Sequence, residues 1–312
     1  MKRILVTGAS GCVGRHALPL LAGRGWEVHG VTTRAGVPTQ DGVIWHHANL
    51  LDAHEAARVV RDAGASHLLH LAWYIAPGKW AAAPENFQWV EASLGLVRAF
   101  LDHGGTRIVS AGSCLEYDWG YGYCSEDRTP CVPHTAYGTC KNALQLLTSA
   151  MTAREGVSSA WGRIFFLYGP YEHPDRLVPS VISALLAGEP ARCSHGNQVR
   201  DYLHAADVAS AFVGLVESGV AGPVNIASGE AVRLKDIVTR IGSIIGRPEL
   251  IRLGAIPPAA TDTPLVVADT SRLASELAWT PRYDLESGLR QTIDWWASVA
   301  ASASLSAARG DR

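Results

Sequence analysis

The feature that most constrains this chain is a glycine-spaced turn almost at its N-terminus, Thr7-Gly8-Ala9-Ser10-Gly11-Cys12-Val13-Gly14. An apolar, β-prone run (Ile4 to Thr7) leads into it, and a helical pattern (His16 to Ala22) follows. Each glycine has its own physical task. Gly8 permits a tight exit from the strand, Gly11 lets backbone N–H groups approach a pyrophosphate, and Gly14 lets the helix pack closely on a sheet. The positive end of the helix dipole and its unpaired N–H groups then face the phosphates. An ordinary glycine-rich turn is the alternative, but the strand–turn–helix setting points to dinucleotide binding.

The rest of the chain repeats the strand–helix rhythm. Strands are expected at Glu27 to Thr32, Val43 to His47, His67 to Ala72, Arg107 to Ser110 and Ser159 to Phe166. Helices are expected at 53–63, 85–103 and 136–154. Such alternation implies right-handed crossovers and an α/β fold with a doubly wound parallel sheet. Beyond residue 170 the pattern loosens into helices at 176–187, 207–217, 234–245, 271–277 and 285–297, with a strand at Gly222 to Ile226. The expected organisation is a Rossmann domain (1–170 with 203–227) and a smaller, mostly helical substrate lobe (171–202 with 228–298). Residues 299–312, rich in Ala and Ser, read as a frayed tail.

Composition narrows the partners. A net charge of −2 over 312 residues gives no electrostatic case for nucleic acid or an anionic membrane. No apolar run approaches the roughly 18 residues a bilayer span needs, and the chain opens on a strand rather than a signal peptide. Six scattered cysteines without Cys-x-x-Cys spacing read as reduced thiols in a cytoplasmic protein. His173, His195 and His204 show no metal-ligand spacing.

Two further stretches carry chemistry. The second strand ends in Thr32-Thr33-Arg34, with no acid to accept the adenosine ribose 2′-hydroxyl. Hydroxyls and a guanidinium suit a 2′-phosphate instead, which favours NADP over NAD, unless Arg34 is only a solvated loop charge. Asn49 stands where a polar side chain contacts an adenine edge; the alternative is a cap on the next helix. Tyr137-Gly-Thr-Cys-Lys141 places phenol and ammonium on one helix face at i, i+4. A nearby ammonium would stabilise phenolate and let Tyr137 trade a proton near neutral pH. Ser113 follows the fifth strand at its C-terminal end, where ligands bind in open α/β sheets. It can hydrogen-bond a carbonyl beside the Tyr137 phenol, or serve only as a turn serine.

These motifs together resemble the extended short-chain dehydrogenase/reductases of the nucleotide-sugar epimerase, dehydratase and reductase family. The resemblance runs through Thr7–Gly14, His70-Leu-Ala72, Ser113, Tyr137-x-x-x-Lys141, Leu167-Tyr-Gly-Pro170, Gly196-Asn-Gln-Val-Arg-Asp-Tyr202 and Val224-Asn-Ile226. It implies a Ser113–Tyr137–Lys141 relay and a homodimer through paired helices. It implies cofactor contacts at Gly8, Ser10, Gly11, Cys12, Val13, Gly14, Thr33, Arg34, Asn49, Leu50, Leu71, Ala72 and Phe165, besides Tyr137 and Lys141. Substrate contacts are implied at Ser113, Cys114, Arg176 and Arg200, with Arg200 on the diphosphate of a nucleoside-diphosphate sugar; an ion pair of Arg200 with Asp201 or Asp207 is the alternative. The chain departs from the dehydratases, which carry an acid one or two positions after the Ser or Thr, where Cys114 and Leu115 stand here. Glu116 falls one residue late. Leu115 and Arg176 replace the cysteine and histidine of GDP-fucose synthases, and Phe166 replaces an asparagine usual in 4-epimerases. Hydride transfer without a further acid–base pair remains. The expected activity is NADPH-dependent reduction of a nucleoside-diphosphate 4-keto-6-deoxysugar. The alternatives are a 4-epimerase with tightly bound NAD and a non-catalytic NADP-sensing protein.

Overall fold

The computed structural model describes residues 2–36, 40–257 and 263–310, with 303–310 as backbone alone. Apolar runs at the head of the chain form strands buried on both faces, as parallel sheets require. In order they are β1 (Arg3–Thr7), α1 (Cys12–Gly23), β2 (Glu27–Thr32), β3 (Val43–His47), α2 (Ala53–Ala63), β4 (His67–His70), α3 (Glu85–Asp102) and β5 (Arg107–Ser113). After a short β6 (Tyr123–Cys124) come α4 (Ala136–Arg154), β7 (Ser158–Ile164), β8 (Phe166–Tyr168) and α5 (Leu177–Leu186). Next are β9 (Ala191–Arg192), β10 (Val199–Arg200), β11 (Tyr202–His204), α6 (Ala205–Glu217) and β12 (Gly222–Ile226). The remainder is β13 (Val232–Arg233), α7 (Leu234–Ile245), β14 (Ile251–Arg252), β15 (Leu265–Ala268), α8 (Ser271–Leu277) and α9 (Leu285–Gly310).

Seven strands form one parallel sheet in the order β12-β7-β5-β4-β1-β2-β3. The order reverses between β1 and β4, the topological switch point where such sheets bind ligands. One core packs α1 and α6 on the sheet through Leu18, Leu21, Val208 and Phe212; the other face carries Val59, Val60, Leu96 and Phe100 from α2 and α3. A third core, with Val181, Ile182, Ile237, Ile241 and Leu289, joins α5, α7 and α9.

Strand β4 stops at His70 rather than Ala72, α6 starts at Ala205 rather than 207, and α9 runs on to Gly310 where the sequence reads as a frayed tail from 299. Three further boundaries differ from the sequence expectation for a physical reason. Helix α1 starts at Cys12, before its apolar periodicity begins, because extended Gly11 (φ −80°, ψ 178°) is already the N-cap. Strand β5 runs on to Ser113, since Ala111, Gly112 and Ser113 keep pairing with 162–164 of β7. The apolar run at 159–166 is two strands: β7 stays in the main sheet, while Phe166–Tyr168 turns away to pair with β11. Continuous hydrophobicity conceals that break. Short strands that sequence periodicity does not mark also form a four-stranded sheet, β13-β10-β15-β6.

Candidate active site

The glycine turn is built by close approach. Gly8 has φ +65°, and a Cβ there would lie 2.8 Å from Ala72 N and from the Leu71 carbonyl carbon. Thr7 Oγ1 accepts the Leu71 and Ala72 N–H groups, so the end of β4 is tied against the turn. At Gly14 a Cβ would stand 2.3 Å from Gly8 O. No side chain caps α1, which leaves its N-terminal amides at Cys12, Val13 and Gly14 facing outward. The Cys12 thiol points to Pro170 O, and burial pushes its pKa up. At the end of β2, Ser10 Oγ and Thr32 Oγ1 are 2.9 Å apart. Arg34 donates its backbone N–H to Thr32 Oγ1. The guanidinium groups of Arg34 and Arg15 both donate to Ser10 O, at 3.4 and 3.0 Å. Thr33 and Arg34 are exposed. Asn49 is exposed and accepts the Leu51 N–H, whereas Asp52 is the cap of α2; Leu50 is buried.

The structure brings Ser113, Tyr137 and Lys141 together at the C-terminal end of β5. Thr135 caps α4 by accepting the Gly138 N–H at 3.0 Å. A Cβ on Gly138 would lie 2.2 Å from Leu115 O, so the glycine inside Tyr-Gly-Thr-Cys-Lys lets α4 meet the turn carrying Ser113. That turn is a 3-10 helix, 114–116, capped by Ser113 Oγ accepting the Leu115 N–H. The Glu116 carboxylate turns into the core, where it accepts the Ser113 N–H at 2.7 Å and the Arg163 Nε–H at 2.7 Å. It is thus removed from the pocket. Lys141 Nζ donates to Ala111 O at 2.8 Å and sits 3.8 Å from the centre of the Trp73 ring.

Burial governs the electrostatics. Tyr137 lies edge-on to Trp80 (5.0 Å) and Trp73 (6.2 Å), and desolvation raises its pKa, opposed by a hydrogen bond to Ser113 and by Arg176. Burial thus opposes the proton trade near neutral pH that the spacing suggests. The ammonium of Lys141 is held by a carbonyl and an indole, 5.9 Å from the phenol ring centre, and burial draws its own pKa down to about 7. His70 bridges Thr7 and Ser93, and burial lowers its pKa to about 3, so it stays neutral.

The remaining wall is aromatic and cationic. Asn86 accepts the Trp73 indole N–H and donates to Trp80 O, fixing both tryptophans over Tyr137. Arg176 lies 5.6 Å from the Trp80 ring centre, and Arg200 lies between Trp119 (5.8 Å) and Phe166 (5.4 Å). Asp201 accepts backbone N–H groups of Ser228, Gly229 and Ala268, and Asp207 those of Arg282 and Tyr283. Cys114 and Phe165 pack in one apolar cluster with Tyr117 and Cys124. Glu172 has a buried carboxylate oxygen without a hydrogen-bond partner, and burial raises its pKa to about 8, with Arg176 opposing. Sequence reasoning missed Trp73, Trp80 and Glu172. Most of the ten tryptophans read as core or interface, and no spacing links these positions to Tyr137. His173, His195 and His204 are engaged with Asp175, Asn197 and Gln291.

An uncapped glycine turn at a switch point, with a Ser–Tyr–Lys constellation at the adjacent strand end, defines a dinucleotide-binding protein of the Rossmann class. The chain belongs to the NAD dependent epimerase/dehydratase family, whose model matches residues 4–227. It is 27% identical to a UDP-glucose 4-epimerase of Corynebacterium glutamicum, covering 96% of each chain. It is 26% identical to a dTDP-4-dehydro-6-deoxy-D-allose reductase of Streptomyces bikiniensis, covering 95% of this chain and 96% of that one. Among solved structures it is similar to MoeE5 in complex with UDP-glucuronic acid and NAD, with 30% identity and a TM-score of 0.82. That match covers 95% of this chain and 99% of MoeE5. The turn fits a dinucleotide, since the positions where a Cβ would fill the cradle are glycine. Among the described residues no helix is long and apolar enough to cross a membrane.

Proposed function

We propose that this protein is an NADPH-dependent reductase of the 4-keto group of a nucleoside-diphosphate 4-keto-6-deoxysugar. One observation carries the reading: the Tyr137 phenol stands beside Ser113 and Lys141, with Cys114 and Leu115 where a dehydratase would carry an acid. A neutral phenol is a proton donor, as ketone reduction requires. The dinucleotide would supply the hydride. Tyr137 gives its proton to the oxygen at C4, Ser113 holds that oxygen, and Lys141 holds a ribose hydroxyl and the phenol geometry. Gly8, Gly11, Cys12, Val13 and Gly14 face the pyrophosphate, while Ser10, Thr33 and Arg34, with Arg15 beside them, face a 2′-phosphate. Asn49, Leu50, Leu71, Ala72 and Phe165 complete the cofactor cleft. Arg176 and Arg200 present guanidinium forks to the sugar nucleotide's diphosphate, next to Cys114. On this reading 1–170 with 203–227 bind the dinucleotide and 171–202 with 228–298 the sugar nucleotide. Six unpaired cysteines suit a cytoplasmic enzyme. Phe87, Leu146 and Leu147, exposed on α3 and α4, suit pairing with a second copy.

The S. bikiniensis reductase supports this reading. The second reading, a 4-epimerase retaining NAD, is favoured by the likeness to the C. glutamicum UDP-glucose 4-epimerase and by the NAD in the MoeE5 complex. A panel of nucleotide sugars and their 4-keto forms, followed by loss of reduced-nicotinamide absorbance, separates the two. NADPH consumption with a 4-keto sugar is the expected result. Stoichiometric, non-exchanging NAD with interconversion of 4-epimers and no net consumption would replace it with the epimerase. Turnover of none of them would overturn both.

A further inference from the structure

Glu116 is the most deeply enclosed charge beside the relay. Its side chain is fully buried. Besides the Ser113 N–H and Arg163, it accepts the Trp161 indole N–H at 2.9 Å. Room for it exists because residue 112 is glycine: a Cβ there would lie 2.0 Å from Trp161 Nε1 and 2.6 Å from Glu116 Oε1. An apolar pair of similar volume often replaces a buried ion pair at little or no cost. Such a pair would lack three things: an acceptor for the Ser113 N–H, an acceptor for the Trp161 indole N–H, and a fixed negative charge behind β5.

We propose that Glu116 is a positioning residue for the relay: its carboxylate fixes the turn that carries Ser113 and supplies the negative charge that Lys141 and Tyr137 both face. The proposal rests on the Ser113–Tyr137–Lys141 relay being the reacting unit, and is indifferent to whether it reduces or epimerises. The surroundings are consistent with this. Lys141 is met by Ala111 O, the Trp73 ring and neutral His70, and its Nζ lies 5.9 Å from the ring centre of Trp161, whose indole N–H sits on Glu116. Tyr137 is met by Ser113, Cys114, Glu116 and Arg176. Glu116 itself faces Arg163, with the Tyr117 ring and Cys131 on the far side of the guanidinium. Glu116 works against the burial that draws the proton off Lys141, and it holds the proton on Tyr137. Removing its charge therefore lowers both titrations.

The chain has four lysines (Lys2, Lys79, Lys141, Lys235), so a carbon-13 NMR pH titration of the lysine Cε resonances resolves Lys141, assigned with Lys141→Met. In Glu116→Gln the Lys141 midpoint should fall by about one pH unit. The alkaline limb of the turnover profile should move down with it. The double variant Glu116→Gln, Arg163→Met leaves no unpaired guanidinium. It should unfold like the wild type yet keep the lowered Lys141 midpoint, and it carries the test if the single variant does not fold. A midpoint within about 0.2 unit of the wild type in the double variant overturns the proposal. The titration needs no substrate, so a failure of this proposal is told apart from failure of every sugar in the panel, which would sink the functional reading.

Discussion

Gly14 and Gly23 lie on the same helix and should respond oppositely to alanine. At Gly14 the new Cβ would stand 2.3 Å from Gly8 O, 2.6 Å from Ala9 O and 2.8 Å from the Ala9 carbonyl carbon. All three atoms are backbone, so no rotamer change relieves the clash; α1 must retreat by roughly 1 Å to reach ordinary contact. Overpacking of this kind costs about 1–3 kcal/mol, offset by up to about 1 kcal/mol of helix propensity. The net loss expected is about 1–2 kcal/mol. The same retreat withdraws the α1 amides from the pyrophosphate, and one charge-assisted hydrogen bond is worth about 1.5–3 kcal/mol. Dinucleotide affinity should fall about 10- to 100-fold. At Gly23 nothing lies within 4 Å, so alanine there should stabilise by up to about 1 kcal/mol and leave affinity unchanged. Urea unfolding followed by circular dichroism and titration calorimetry with NADPH measure both. If Gly14→Ala binds within about twofold of the wild type and unfolds at the same urea concentration, close packing at this turn is not what the glycine provides.

Tyr137→Phe should lower turnover by about 10²- to 10⁴-fold while NADPH affinity holds; undiminished turnover removes Tyr137 from the proton transfer. Arg34→Asp should shift the NADPH/NADH specificity ratio at least tenfold toward NADH, and an unshifted ratio would move the 2′-phosphate to Arg15. Glu172 holds its proton more tightly in the folded protein, with a pKa of about 8 against an ordinary 4.5. Raising the pH across that window therefore costs stability that the unfolded chain does not lose. The melting temperature of Glu172→Gln relative to the wild type should climb from about pH 5 to pH 8 and then level off. A difference that is flat across this range would mean Glu172 is ionised throughout.

Much of the fold and part of the site could be read from local pattern. The glycine spacing, the alternation of apolar strands with helices, and the i, i+4 pair Tyr137–Lys141 are properties of short segments, because helix and strand geometry repeat every few residues. The strand break at Phe165 escaped that reading, since both sides of it are apolar and only the pairing partners differ. The site's electrostatic character escaped it too. Spacing alone suggests an acidified phenol beside an ammonium. Packing decides otherwise, through two tryptophans from the loop before α3 that desolvate Tyr137, and through Ala111 O and Trp73, which hold Lys141. Glu116 in the chain is simply an acid out of register; Arg163 and Trp161, more than forty residues away, turn it into a buried charge behind Ser113. Desolvation and charge coupling depend on what surrounds a group in space, and those neighbours come from distant segments, so they were settled by the tertiary structure alone.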